Sequence, residues 1–227
     1  MKKKTNKPKP SSNSLGLTPQ SLVQSLYMES IEENDVTISV GYAGSGKTYI
    51  AATAASQFKI DHKAKGRIIL TRPNRDDSPT MGFLPGEDIE KMTPWVRPYL
   101  EVFNKHLNGT TTKYLEDGTI SVIAFEHIQG LTFDDAYVLL DEAQFTTRSE
   151  MKKFLKRIGK NTKVIINGDI AQANMGKTSG LAMLIDLWHS DAEVRESVGL
   201  VEFNDVNDIV RSDFCRMITP KVDKLPN

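Results

Sequence analysis

Gly41-Tyr42-Ala43-Gly44-Ser45-Gly46-Lys47-Thr48 sets three glycines before a lysine and a hydroxyl, in the pattern G-x-x-x-x-G-K-T. Glycines let a backbone curl until its N–H groups converge on an anion, and a helix N-terminus behind them adds positive potential. In that setting Lys47 reaches the β- and γ-phosphates of ATP, Thr48 offers its hydroxyl to Mg²⁺, and Tyr49 continues the nucleotide-contacting stretch. A second group, Asp141-Glu142, follows the apolar run Val138-Leu139-Leu140. At the end of a strand Asp141 would hold Mg²⁺, and Glu142 would take the proton of an attacking water. A third, Gly168-Asp169-Ile170-Ala171-Gln172, follows Val164–Asn167. Gln172 could hydrogen-bond the γ-phosphate and report its presence, and a plain Gly-Asp turn is equally compatible.

These groups need elements to hold them. Short β-branched runs at 36–40, 67–70, 137–140, 164–167 and 200–203 read as strands, and helical stretches at 47–59, 148–158 and 179–188 alternate with them. The alternation predicts an α/β fold with a mostly parallel sheet covered by helices on both faces. Thr18 and Pro19 carry helix-start chemistry, with Leu22, Leu26 and Ile31 as the apolar side. The segment 73–98 reads as loop around a helix at 87–91, a further helix covers 96–107, and 114–124 reads as a hairpin or added strand around Asp117-Gly118.

The 227 residues suit one such domain, spanning 17–213, between a disordered basic tail at 1–16 and a C-terminal tail at 214–227. Net charge is zero but uneven: taking the five lysines of residues 1–9 from the 29 basic residues leaves 24 against 29 acidic ones. One cysteine, Cys215, excludes an internal disulfide, and no apolar run approaches the ~20 residues of a membrane span. The N-terminal residues are polar and lack a signal-peptide pattern, so a cytoplasmic protein without membrane contact is expected.

G-Y-A-G-S-G-K-T at 41–48, I-I-L-T-R-P at 68–73, G-F-L-P-G at 82–86, L-L-D-E-A-Q at 139–144, G-D-I-A-Q at 168–172 and D-I-V-R at 208–211 together resemble the PhoH-like family of ATPases, related to superfamily 1 helicases. The resemblance implies a RecA-like P-loop NTPase fold and ATP hydrolysis with Mg²⁺. It implies that Gln24 reads adenine, that Arg72 lies where helicases touch nucleic acid, and that Arg211 matches an arginine finger acting across a subunit boundary. Lys47, Glu142, Gln172 and Arg211 would then be the catalytic set. One RecA-like unit cannot enclose a nucleotide as a two-unit helicase does, so self-association into a ring, expected as a hexamer, follows. The chain departs from the family pattern at Gln129-Gly130-Leu131-Thr132, where two arginines are usual, and at Phe145, where Asn is usual. It ends without the nuclease domain of some members, so no nuclease activity is expected.

Arg148, Lys152, Lys156 and Lys160 recur every four residues and would form a basic stripe. Such a stripe suits the phosphate backbone of RNA or single-stranded DNA, with Lys152 and Lys156 as contacts, although solvated charged faces are common. Switch GTPases place their water with Gln instead of Glu, and Asn104-Lys105 lacks the Asp two residues on that guanine reading requires. Two other classes stay open: a nucleotide-binding module or nucleotide-driven assembly factor, and a small-molecule kinase.

Overall fold

Ile68 and Leu70 point to one face of their strand and Ile69 to the other, so a strand of this composition must be covered twice. The structure, a computed structural model, describes residues 15–63, 66–73, 88–170 and 178–222, without the side chains of 88–94. Its strands are β1 (Val36–Gly41), β2 (Arg67–Arg72), β3 (Ile120–Ala124), β4 (Ala136–Leu140), β5 (Lys163–Gly168) and β6 (Val198–Phe203). The helices are α1 (Leu22–Glu33), α2 (Lys47–His62), α3 (Asp88–His106), α4 (Thr111–Glu116), α5 (Arg148–Leu155), α6 (Gly180–Ser190), α7 (Ala192–Ser197) and α8 (Asp213–Val222).

The strands form one sheet in the order β3-β2-β4-β5-β1-β6, and every pairing is parallel. On one face Ile68, Leu70, Tyr137, Leu139, Ile165 and Phe203 pack with Tyr27, Ile31, Ala51, Tyr99 and Phe103 of α1, α2 and α3. On the other, Ile38, Val40, Ile69, Val138, Leu140, Val164 and Ile166 pack with Met151 and Phe154 of α5 and Leu181 and Leu184 of α6. Each fully buried side chain of this size contributes roughly 1.5–3 kcal/mol by leaving water. The α/β, RecA-like P-loop architecture expected from the sequence is the one observed.

Local expectations differ in instructive places. Helix α1 is capped by Ser21, whose Oγ accepts from Gln24 N, and not by Thr18. Its buried side is Gln24, Tyr27, Met28 and Ile31, while Leu22 (76% exposed) and Leu26 (47%) face outward. The two helices expected between 87 and 107 are one, α3. Of the hairpin or added strand expected at 114–124, the added strand forms: β3 joins the sheet edge parallel to β2, Ile68 opposite Ile120, while Tyr114 and Leu115 belong to α4. Only 120–124 alternates, and a crossover through α3 delivers it parallel, as such connections do. Helix α5 starts in a capping box between Thr147 and Glu150 and stops at Leu155, short of 158, so Lys156 caps it and Lys160 lies beyond it, and the four-residue basic stripe does not run along one helix. Residues 213–222 form α8, with Phe214, Met217 and Val222 exposed.

Candidate active site

Parallel strands deliver all their C-terminal ends to one edge, and ligands of open α/β sheets gather there. Gly41, Arg72, Asp141-Glu142 and Gly168-Asp169 all arrive at this edge, followed by loops into α2, α5 and beyond. They open onto a cleft of about 580 Å³ that is walled by the phosphate loop, by Pro98, Glu101, Val102 and Lys105 of α3, and by Val210 and Arg211.

The loop is shaped from behind. Gly41, Gly44 and Gly46 have φ of 118°, 84° and 86°, left-handed values that favour glycine. Its carbonyls are taken by protein groups: Val210 N donates to Gly44 O (3.0 Å), Gln24 Nε2 to Ser45 O (2.9 Å) and Ser45 Oγ to Tyr42 O (2.8 Å). Tyr42 N donates back to Phe203 O (3.0 Å), and with these carbonyls tied back the later loop amides and the first-turn amides of α2 can receive phosphate oxygens. At Gly41 a Cβ would collide with the carbonyl of Phe203 in β6. Gly41→Ala is therefore expected to cost about 3 kcal/mol and lower Tm by roughly 6–12 °C, from backbone strain plus overlap. A calorimetric Tm within about 2 °C of wild type would contradict that close approach.

Lys47 lies folded along the loop. Its Nζ donates to Gly41 O (2.6 Å), Tyr42 O (2.8 Å) and Ser45 Oγ (3.2 Å) and sits 5.6 Å from the centre of the Phe203 ring. Desolvation lowers its pKa, and Asp169, Asp141 and Glu142 oppose that shift, so three acids surround one ammonium. Desolvation, with the Glu142 charge beside it, pushes the Asp141 carboxyl up to about 6, against Arg72 and hydrogen bonds from Tyr99 and the Glu142 N–H. A carboxylate held short of water in this way favours a cation. With the Thr48 hydroxyl in the same cleft, Asp141 offers the hard oxygen donors that suit Mg²⁺, which takes one or two protein ligands and completes its shell from phosphate and water. The residues fit the ion.

Glu142 adopts left-handed backbone angles (φ 52°, ψ 40°). Two contacts secure its side chain: Gln144 Nε2 donates to Oε2 (2.5 Å), and Arg72 Nη2 lies 3.9 Å from Oε1. Gln144 is fully buried, and its Oε1 accepts from Asp169 N (3.0 Å), so one amide joins the ends of β4 and β5. Arg72 stacks over the Trp95 ring at 5.0 Å. The structure thus places Arg72 beside the candidate base.

Gln24 is buried at 5% exposure under the loop; besides its bond to Ser45 its Oε1 accepts from Gln20 N (2.8 Å). A small hollow of about 130 Å³ adjoins it, lined by Thr18, Pro19, Gly46, Tyr49 and Val210. Arg211 lies on its own chain's loop: a Cβ at Gly44 would sit 3.1 Å from Arg211 Cδ. Lys152 and Lys156 are exposed on and just after α5, away from the residues that line the cleft. Gln172 lies outside the described residues.

Gly41–Tyr49, Asp141, Glu142, Gln24 and Arg211 are thus brought to one edge. Sequence reasoning missed Gln144, Asn167 and Tyr99. Gln144 stood in the L-L-D-E-A-Q segment as a signal, while Asn167 and Tyr99 carry no local pattern.

A model of the PhoH-like protein family matches residues 16–223. The chain is similar to Protein PhoH of Escherichia coli (strain K12), 40% identical over 195 residues, 84% of this chain and 53% of that protein. It is also similar to the PhoH-like protein of Bacillus subtilis (strain 168), at 37% over 202 residues, 87% of this chain and 61% of the relative. A third relative, the PhoH-like protein of Mycobacterium tuberculosis (strain ATCC 25618 / H37Rv), is 36% identical over 201 residues, 86% and 57% of the two chains. The chain spans between half and about three fifths of the length of these relatives. No helix among the described residues is long and apolar enough to cross a membrane.

Proposed function

The chain belongs to the PhoH-like protein family of P-loop NTPases, and from that premise we propose that it binds ATP with Mg²⁺ and hydrolyses it. The observation that carries the proposal is the convergence of Lys47, Thr48, Asp141 and Glu142 on one cleft behind a tied-back phosphate loop. Loop amides and Lys47 hold the phosphates and neutralise their charge. Thr48 and Asp141 supply protein oxygens to the ion, which when bound withdraws electron density from the phosphate oxygens. Glu142 takes the proton from the water that attacks the γ-phosphorus, the bond from that phosphorus to the β–γ bridging oxygen breaks, and ADP and inorganic phosphate leave.

Three finer parts complete the proposal. Adenine is selected by Gln24, which keeps one N–H and one lone pair beyond its two intramolecular bonds. Turnover is coupled to RNA or single-stranded DNA, for which the exposed Lys152, Lys153, Lys156 and Lys160 provide phosphate contacts. The chain self-associates in a ring, a hexamer on the family pattern, using apolar surface such as Phe214 and Met217 of α8 and Leu22 of α1.

The test is a steady-state phosphate-release assay with ATP or GTP, with and without Mg²⁺, and with and without single-stranded RNA or DNA. Mg²⁺-dependent release from ATP without any acceptor, in excess over GTP, is expected. Phosphate transfer that requires an added acceptor would point to a kinase, and nucleotide binding without release to a binding module.

A further inference from the structure

Beneath the loop lies a run of buried polar groups that the hydrolysis mechanism does not use directly. Asn167, at 2% exposure near the end of β5, sits at its centre. Its Oδ1 accepts from Tyr27 Oη of α1 (2.8 Å) and from Ser39 Oγ of β1 (2.7 Å), which fills both lone pairs. Its Nδ2 donates to Tyr99 Oη of α3 (3.4 Å). Tyr99 has one proton left, and the Asp141 carboxylate is the acceptor within its reach. The donors therefore run in one direction, from Tyr27 through Asn167 and Tyr99 to Asp141, across four elements and one strand end.

We propose that this run positions the Asp141 carboxylate: Asn167 fixes the Tyr99 hydroxyl, and Tyr99 occupies one side of the carboxylate so that the remaining oxygen electrons face the Mg²⁺ of a bound nucleotide. The inference rests on the MgATP reading above and adds two positioning residues to it. A carboxylate at the end of a strand can rotate about its last side-chain bond. The Tyr99 hydroxyl, held by Asn167, and the Glu142 N–H restrict that rotation before the ion arrives. Burying Tyr27, Ser39, Asn167 and Tyr99 in an otherwise apolar face is unfavourable unless each finds a partner. Tyr137 on the same face keeps its hydroxyl without a hydrogen-bond partner among the described residues, so pairing is not forced on every tyrosine there. Tyr27 also lies one turn from Gln24, so α1 touches both the loop and the carboxylate support.

The experiment measures Mn²⁺ affinity by electron paramagnetic resonance in the complex of the full chain with a non-hydrolysable ATP analogue, and analogue affinity separately in EDTA. Tyr99→Phe is expected to weaken Mn²⁺ binding about 10-fold, the loss usual for a partner that orients a metal ligand. Analogue binding without metal is expected to stay within about 2-fold. Tyr27→Phe, one step further away, is expected to weaken Mn²⁺ about 3-fold. Tyr137→Phe, equally buried, is expected to leave both affinities unchanged. Wild-type Mn²⁺ affinity in Tyr99→Phe would overturn the inference, as would an equal loss in Tyr137→Phe. If Tyr99→Phe fails to fold, the Tyr27→Phe measurement decides, and wild-type affinity there is the overturning result. A wild-type chain that binds the analogue in neither condition would instead remove the ATP reading, and this inference with it.

Discussion

Glu142→Gln is expected to lower the rate of phosphate release by about 10²–10⁴-fold while leaving ATP affinity within about 3-fold of wild type. The substitution keeps the shape of the side chain and removes only its ability to accept a proton. The backbone around it is already committed: φ of 52° at residue 142 costs on the order of 1 kcal/mol or more, which Phe145 N donating to Glu142 O (3.0 Å) helps to offset. The side chain is aimed by Gln144 on one oxygen and Arg72 on the other. A glutamine here loses the ion pair with Arg72 and turns either its oxygen or its nitrogen toward Gln144. Geometry is conserved and basicity is lost, which separates this variant from Lys47→Ala, where binding falls as well. Phosphate release and equilibrium binding of a fluorescent ATP analogue, measured side by side, check it. Turnover in Glu142→Gln equal to wild type would assign the proton to another group.

Arg211→Ala is expected to reduce turnover by about 10³-fold, the lower end of what a charge-stabilising arginine contributes to phosphoryl transfer. The family resemblance has this arginine acting on a neighbouring subunit. The structure lays its stem across Gly44 of its own loop, and the preceding Val210 N is bonded to Gly44 O. Of the acids near it in sequence, Asp208 accepts from Asp205 N through Oδ2, and Asp213 pairs with Arg216 at 3.4 Å. Arg211 already lines the cleft of its own chain. On this geometry, mixing Arg211→Ala subunits with Lys47→Ala subunits restores nothing, and turnover per chain does not fall on dilution. Recovery of activity in the mixture would return the arginine to the neighbouring subunit and make the ring a requirement of the chemistry.

The groups most legible in the sequence were those whose geometry is local. Gly41–Thr48 is a loop whose function depends on consecutive φ values and on the helix that follows, so eight adjacent residues declare it. Asp141-Glu142 was legible because a five-residue apolar strand must end where it does. What stayed hidden depends on distant partners. Asn167 meets Tyr27 across 140 residues and Tyr99 across 68, and Gln144 acquires its role only when Asp169 N, 25 residues on, arrives beside it. Arg72 shows the same limit. Its strand was evident, but its neighbours Trp95 and Glu142 come from other elements and set it against the candidate base. The misread start of α1 has a related cause, since Ser21 and Thr18 are both acceptable caps and tertiary packing chooses between them.

The ties behind the phosphate loop reach to both ends of the domain: Gln24 lies before β1, and Tyr42 N is bonded to Phe203 O while Val210 secures Gly44. The motif itself is translated by residue 48, yet its conformation is completed by a strand and a turn translated about 160 residues later. Translation of that interval takes roughly 8–30 s at ordinary elongation rates. A nascent chain thus lacks the full set of ties behind this loop until its sixth strand has joined the sheet.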